Sequence, residues 1–428
     1  MTDSRPVTTT TKDSPEPGAT PSGTTAPPEP AASHGGPDAT GTTRPRVHFP
    51  GLEGLRALAA VMVVVHHAVA TAGPGRTGLL WTPAAVFDAG VAIFFVLSGF
   101  LIYRPYAAAH NERRKPLRAA SFWWRRLLRI VPAYWLVLTF FWKVVPTYEL
   151  GDQWWRYYLF LQIYSRDYTL GGIVQAWSLC TEVSFYLVIP IWALAMGWIS
   201  KRVKGVYVDL AGCAALGLLG VGFRKWATAH WSDPATRPPT FQWLPANIDL
   251  FAVGMTIAVL SVWASQDGRL QRLADRVFAW AEVWWALGIG IFVWYAYRVG
   301  GVDPVAGYAG FEWQQRQVIV AAVAACLLLP AVFGDQRQGV IRKGLLLRPV
   351  VWVGMVSYGL YLWHFDWMKR SVDRSGGGGL VTQGWFNTPE LNSNVIKLLA
   401  VGLGMGLLCA AISWYALEKP LQRFKRLI

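Results

Sequence analysis

Ten apolar runs fix what this chain can become. They fall at about residues 55–73, 86–107, 127–146, 177–199, 206–226, 246–264, 279–298, 317–335, 350–369 and 395–416, each close to the length a helix needs to cross a bilayer. Hydrocarbon offers the backbone no hydrogen-bond partner, so runs of this kind fold as helices that satisfy themselves. The expected fold is all-α: a polytopic integral membrane protein of about ten transmembrane helices, occupying residues 49–428. The composition agrees, with 53% hydrophobic and only 15% charged residues, far from a soluble domain.

The first 48 residues are built differently, from Thr, Pro, Gly, Ser and Ala with scattered charge. They cannot bury a core and contain no apolar signal-peptide segment, so a disordered cytoplasmic tail is expected over 1–48. An even number of runs puts both ends of the membrane region on one side. Connections after even-numbered runs carry Arg113, Arg114, Lys201, Arg202, Arg269, Arg272, Arg342 and Lys343, whereas the opposite ones carry Glu149, Asp152, Asp303 and Glu312. By the positive-inside rule both termini are expected in the cytoplasm, with the chain in the inner (plasma) membrane. The net charge of +15 is then juxtamembrane charge, and nucleic acid drops out as a partner. Cys180, Cys213, Cys326 and Cys409 lie in apolar runs without metal spacing, so neither a disulfide framework nor a metal site is expected. No Walker, dinucleotide-binding or HExxH motif occurs, which excludes ATP, NAD and zinc chemistry.

Ionisable groups inside apolar runs are costly and point to function. Arg56 and His67 are eleven positions apart in the first run. On a helix that is three turns and about 20°, so both leave one face, roughly 16 Å apart along the axis. His66 falls on another face. Arg126 and Arg129 stand one turn apart at the start of the third run, and Arg104 ends the second on the same side. With Arg56 they form an expected cationic mouth. Arg104 and Arg125 fit plain membrane anchoring, while Arg129, deeper in its run, wants a phosphate or carboxylate partner. A second group sits toward the opposite side: His67, Glu182 in the fourth run, and Tyr358, Tyr361 and His364 in the ninth. A carboxylate beside an imidazole orients it and supports proton removal, so His67 and Glu182 read as a base and its partner; a structural pair between helices is the alternative. Ser98–Gly99 reads as a helix-packing point rather than a nucleophile. The aromatic stretch 153–164 is too short to span and is expected at the outer interface or re-entrant. Gly376–Gly379 is expected as a flexible run in the last outer loop.

These residues resemble a known family. Gly54-Leu55-Arg56-x10-His67, Phe95-x2-Ser98-Gly99-Phe100-Leu101, Arg126-x2-Arg129-Ile130-x-Pro132-x-Tyr134, Trp177-Ser178-Leu179-x2-Glu182-x2-Phe185-Tyr186 and Ser357-Tyr358-x2-Tyr361-Leu362-Trp363-His364 occur in this order. Over about residues 48–420 the chain resembles the membrane-bound acyltransferase-3 family, the O-acyltransferases of bacterial surface glycans and some secondary metabolites. The resemblance implies a ten-helix membrane enzyme that takes an acyl group from cytoplasmic acyl-CoA to a hydroxyl of a glycan, glycolipid or metabolite acceptor. Acyl-CoA would be a co-substrate, with no permanently bound cofactor. It further implies His67 as catalytic base, Glu182 as its acidic partner, and Arg56, Arg126 and Arg129 as donor-binding groups. Tyr358, Tyr361 and His364 would line the substrate site. Val183 follows Glu182 where some members carry a second acidic residue. Some members also carry a soluble esterase-like domain after the membrane region; with the sequence running to Ile428, the chemistry is expected inside the membrane domain. A proton-coupled transporter or flippase of a sugar or lipid, with Glu182 and His67 as a relay, is the competing reading. The lack of a visible internal repeat weighs against it.

Overall fold

The computed structural model describes residues 49–72, 80–114, 117–233, 237–298, 310–371 and 391–427, without the side chains of 391–394 and 426. The tail 1–48 and Gly376–Gly379 lie outside the described residues. Among those described there is no strand, and ten helices are long. They are α1 (Gly51–Thr71), α2 (Gly90–Asn111), α3 (Ala119–Thr139), α4 (Trp177–Ile199), α5 (Gly205–His230), α6 (Leu244–Ala264), α7 (Ala281–Arg298), α8 (Gly310–Val332), α9 (Arg348–Ser371) and α10 (Leu391–Ser413). Each coincides with one apolar run.

The ten helices differ in how well each meets the length and hydropathy expected of a lone span. Eight of these helices, some with their flanking turns, are long and apolar enough to cross a membrane alone. A ninth span is α7 taken with the preceding helix Gly268–Val277, bent by 61°. That short helix is capped by the Asp267 carboxylate, which accepts from the amides of Arg269 and Leu270 at 2.9 and 3.3 Å. The remaining helix, α9, has 24 residues but is interrupted by His364, Asp366, Lys369 and Arg370. It packs between α1 and α10, and His364 and Asp366 are fully buried, so its polar groups face protein rather than lipid. A shift concerns α3. It begins at Ala119, before the expected run, because the helix continues through Trp124-Arg125-Arg126.

The bundle is tightest where α2 crosses α6. A Cβ on Gly99 would collide with the Phe251 carbonyl, and one on Gly254 with the Val96 carbonyl, so the two backbones touch. Small residues that permit such an approach are how helices gain dispersion contact in lipid, where no hydrophobic drive exists between them. Gly354 plays the same part where α9 meets the Glu53 carbonyl of α1. Residues of α1, α2, α3, α4 and α9 line a shared interior.

The segment 153–164 does not span. It forms one turn of helix, Trp154–Tyr158, folded back on α3: Tyr134 Oη and Trp135 Nε1 donate to the carbonyls of Tyr157 and Tyr158, each at 2.9 Å. Trp243 Nε1 donates to the Ile163 carbonyl at 2.7 Å, anchoring the far end to the start of α6. The segment runs on to the turn Val174–Ala176 and so delivers Gln175 to the interior beside α9.

Candidate active site

Two cavities meet inside the bundle, and Tyr361 of α9 lines both. The first is lined by Arg56, Arg126 and Arg129, with Ser98, Glu182 and Tyr358 further along its wall. Arg56 reaches the Glu53 carboxylate on its own helix at 3.1 Å. Arg126 lies over the rings of Phe122 and Tyr186, 5.5 and 5.3 Å from their centroids, which holds its plane and leaves its N–H edges for a ligand. Arg129 sits close enough to Arg56 and Arg126 to be repelled by both, and makes no protein hydrogen bond among the described residues. Converging guanidiniums of this kind are an anion site in waiting.

Buried arginines elsewhere in the protein look different. Arg224 of α5 is 0% exposed and is spent on the Ala246 carbonyl at 2.6 Å, Asp249 at 2.8 Å and Gln314 at 3.0 Å. Arg342 donates to the carbonyls of Phe278, Ala279, Pro330 and Phe333, and burial pushes its guanidinium below its ordinary value. Arg104 donates to Ser261 Oγ at 3.0 Å and lies over the Phe49 ring, so it serves as an anchor. The cluster of Arg56, Arg126 and Arg129 is therefore not generic membrane charge.

The second cavity holds His66 and His67 of α1, Gln175, Asn247 of α6, and Trp177 and Trp313. Here the hydrogen bonds fix protons by elimination. His364 Nδ1 faces the Leu360 carbonyl at 2.9 Å, and a carbonyl only accepts, so Nδ1 carries the proton and Nε2 a lone pair. That Nε2 lies 3.1 Å from His67 Nδ1, which also faces the Val63 carbonyl at 3.0 Å. His67 Nδ1 is therefore the donor, and its Nε2 is left bare. A neutral imidazole held in one tautomer with a free nitrogen on a cavity wall is the equipment of a general base.

This differs from the expectation in two ways. Glu182 does not hold His67. Its carboxylate accepts from Ser98 Oγ of α2 and from Tyr186 Oη one turn along its own helix, and it faces the arginine cavity. Similar depth on two helices does not fix proximity when each side chain has nearer partners. His364, expected to line the substrate site, is 0% exposed and lies behind His67 and the Tyr361 ring. Ser98, read as a packing residue, faces the arginine cavity, while Gly99 beside it makes the helix contact. Tyr358 lines the arginine cavity and Tyr361 both cavities: Tyr358 Oη donates to the Ile130 carbonyl at 2.7 Å, and Tyr361 Oη to the Gln175 carbonyl at 2.7 Å.

Sequence reasoning passed over Gln175, Asn247, Trp313 and Arg316, the last paired with Asp88, all of which line the second cavity. Arg316 carried a usable signal, a cation against the start of an apolar run. Gln175, in an irregular connection, carried none.

Residues 49–416 match the family described as Acyltransferase domain, and the chain belongs to it. Among curated proteins it is similar to a putative peptidoglycan O-acetyltransferase, YrhL, of Bacillus subtilis. The two are 25% identical over 395 residues, covering 88% of this chain and 55% of the relative. The peptidoglycan O-acetyltransferase OatA of Listeria monocytogenes is 25% identical over 342 residues, 76% of this chain and 50% of the relative. The O-acetyltransferase OatA of Staphylococcus aureus is 23% identical over 339 residues, 74% and 50%. The chain thus spans about half the length of these relatives. No solved structure matches it.

Proposed function

We propose that the chain is an integral membrane O-acyltransferase moving an acyl group from cytoplasmic acyl-CoA to a hydroxyl of a sugar, glycolipid or related acceptor. The observation that carries this is the junction, at Tyr361, of an arginine-lined cavity with one holding a bare imidazole nitrogen. In this scheme both termini and the arginine cavity face the cytoplasm of an inner membrane. The CoA phosphates pair with Arg56, Arg126 and Arg129 through charge-assisted hydrogen bonds. The pantetheine arm passes Tyr358 and brings the thioester to Tyr361.

His67 Nε2 takes the proton of the acceptor hydroxyl, whose oxygen attacks the thioester carbonyl. The new C–O bond forms as the C–S bond breaks, and the leaving thiolate takes the proton back from His67. A base so positioned contributes about 10²–10⁴-fold. His364 acts through His67 by fixing its tautomer. Glu182 acts in the donor cavity, tying Ser98 and Tyr186 together where the arm passes. The names of the relatives support acetyl as the group and a cell-envelope glycan as the acceptor.

The test uses the full chain in nanodiscs with radiolabelled acetyl-CoA and a panel of glycosides. Thioester should be consumed and label appear as ester, and both should disappear in His67→Ala. An intact thioester, together with proton-driven sugar flux in proteoliposomes, would establish a transporter instead.

A further inference from the structure

The short helix ahead of α7, Gly268–Val277, carries charge that acyl transfer leaves unused. One side of it belongs to the bundle. Leu270, Ala274 and Phe278 pack against the core, and Phe278 stacks on Phe333 with ring centroids 5.5 Å apart. Polar contacts lock this orientation. Asp275 Oδ1 accepts from the Gly334 amide at 3.1 Å, and Trp284 Nε1 donates to the Val277 carbonyl at 2.9 Å. Arg342 holds the next two carbonyls, those of Phe278 and Ala279. The helix cannot roll, so its outer face is fixed.

That outer face presents Arg269, Arg272 and Arg276. At 100° per residue they fall within about 60° of arc and extend about 10 Å along the axis. All three are exposed, and none of their guanidiniums has a hydrogen-bond or ion-pair partner among the described residues. Beside them runs an apolar edge of Leu273, Val277 and Trp280, with Leu273 56% and Trp280 73% exposed. The edge continues into α7 through the exposed Val283 and Leu287, and α7 passes as a membrane span when joined with this helix. The 61° bend lays the short helix across the axis of α7 rather than along it. An apolar edge in line with lipid, cations on the adjoining face and a tryptophan at the junction are the marks of a helix lying in the membrane interface.

The two halves of this surface ask for one molecule. Water would leave the large apolar side chains uncovered, and hydrocarbon would leave the guanidiniums unmet. A phospholipid covers both, with its chains along the apolar edge and its phosphate between guanidinium forks. A zwitterionic headgroup brings its own ammonium to the same place, so a net negative headgroup fits the three cations better.

We infer that the helix Gly268–Val277 is an interfacial site for an anionic phospholipid, with Arg269, Arg272 and Arg276 holding the headgroup and Leu273, Val277 and Trp280 the upper part of the acyl chains. The site is independent of the acyl-transfer chemistry proposed above.

The test uses the full chain in nanodiscs of equal parts phosphatidylglycerol and phosphatidylcholine. Leu273 is replaced by the photocrosslinking residue benzoylphenylalanine, and the lipid adducts are identified by mass spectrometry. The same residue at Leu218, exposed in the middle of α5, gives the reference ratio of the two lipids. At Leu273 the ratio should favour phosphatidylglycerol at least threefold over that reference, and should fall as salt is raised. Arg272→Gln combined with Arg276→Gln should return it to the reference value. Arg272→Lys combined with Arg276→Lys should keep part of the preference, because the charge remains while the fork is lost. Equal melting temperatures of parent and Gln variant in pure phosphatidylcholine would show that the lost preference is not unfolding. Equal ratios at Leu273 and Leu218, or a preference that survives both Gln changes, would overturn the site. So would crosslinks to a second copy of the chain in place of lipid, or no lipid adduct at Leu273. Failure of the acyltransferase proposal would leave the lipid ratio unchanged.

Discussion

On one side of Tyr361, three guanidiniums face a cavity in which Glu182 is spent on two hydroxyls and Glu53 on Arg56 alone. On the other side, Arg316 is paired with Asp88 and His67 presents a bare nitrogen. In the proposed scheme the first cavity takes the anionic donor, and the second takes the acceptor hydroxyl. Tyr361 lines both and marks their division, so in the proposed scheme donor and acceptor meet there without sharing a binding surface. The division also keeps the base away from the cations, and its tautomer is set by a neutral chain of carbonyl, imidazole and imidazole.

The largest break in this contrast comes from removing the base. His67→Ala should lower transfer by about 10³-fold while leaving CoA affinity intact, since general bases contribute about 10²–10⁴. His66→Ala, which removes only a wall acceptor, should raise the acceptor KM several-fold and spare kcat. Steady-state kinetics on both variants at matched expression decides this, and loss of CoA affinity in His67→Ala would mean the two cavities are not separable.

Next in size is the donor side. Hydrogen bonds to charged groups are worth about 1.5–3 kcal/mol, so Arg129→Ala should weaken acyl-CoA binding roughly 10–100-fold. Arg129→Lys should recover only part of that, because a point charge replaces a planar fork. Calorimetric titration with CoA measures it; unchanged affinity in both variants would reduce the cluster to an anchor.

His364→Ala should reduce kcat about tenfold or somewhat more and leave both KM values nearly alone, as for a residue that orients a base. His364→Gln keeps an acceptor for His67 Nδ1 and should recover part of the rate. If the Gln variant is no better than the Ala variant, and both simply melt earlier, His364 is only a packing residue. The smallest effect is expected from Tyr361→Phe, which removes the bonds to the Gln175 carbonyl and Ser178 Oγ, both at 2.7 Å. A looser partition should let water compete, raising thioester hydrolysis a few-fold relative to ester formation in the same reaction.

The helices were legible because their signal is local: an apolar run long enough to span carries its own backbone bonds. The arginine side of the site was legible for a related reason, since Arg56, Arg126 and Arg129 interrupt such runs. The His67–His364 contact was not, because it joins residues 297 positions apart and depends on which helices pack together. Depth along the membrane is readable from sequence; neighbourhood is not. Glu182 illustrates the gap, bonded to Ser98 and Tyr186 rather than to His67. Arg224 is the converse case, a buried cation inside the fifth run that went unremarked and proves fully satisfied by protein.

The pairing of α1 with α9 also has a consequence in time. The ribosome makes α1 first among the long helices and α9 second to last, so through most of insertion His67 stands without the residue that fixes its proton. The α2–α6 crossing can form earlier, since both helices precede α9 in the chain and meet backbone to backbone. A chain stalled before residue 348 would carry all three cavity arginines and a His67 with no His364 beside it, so the proposed base is completed only when α9 is in place.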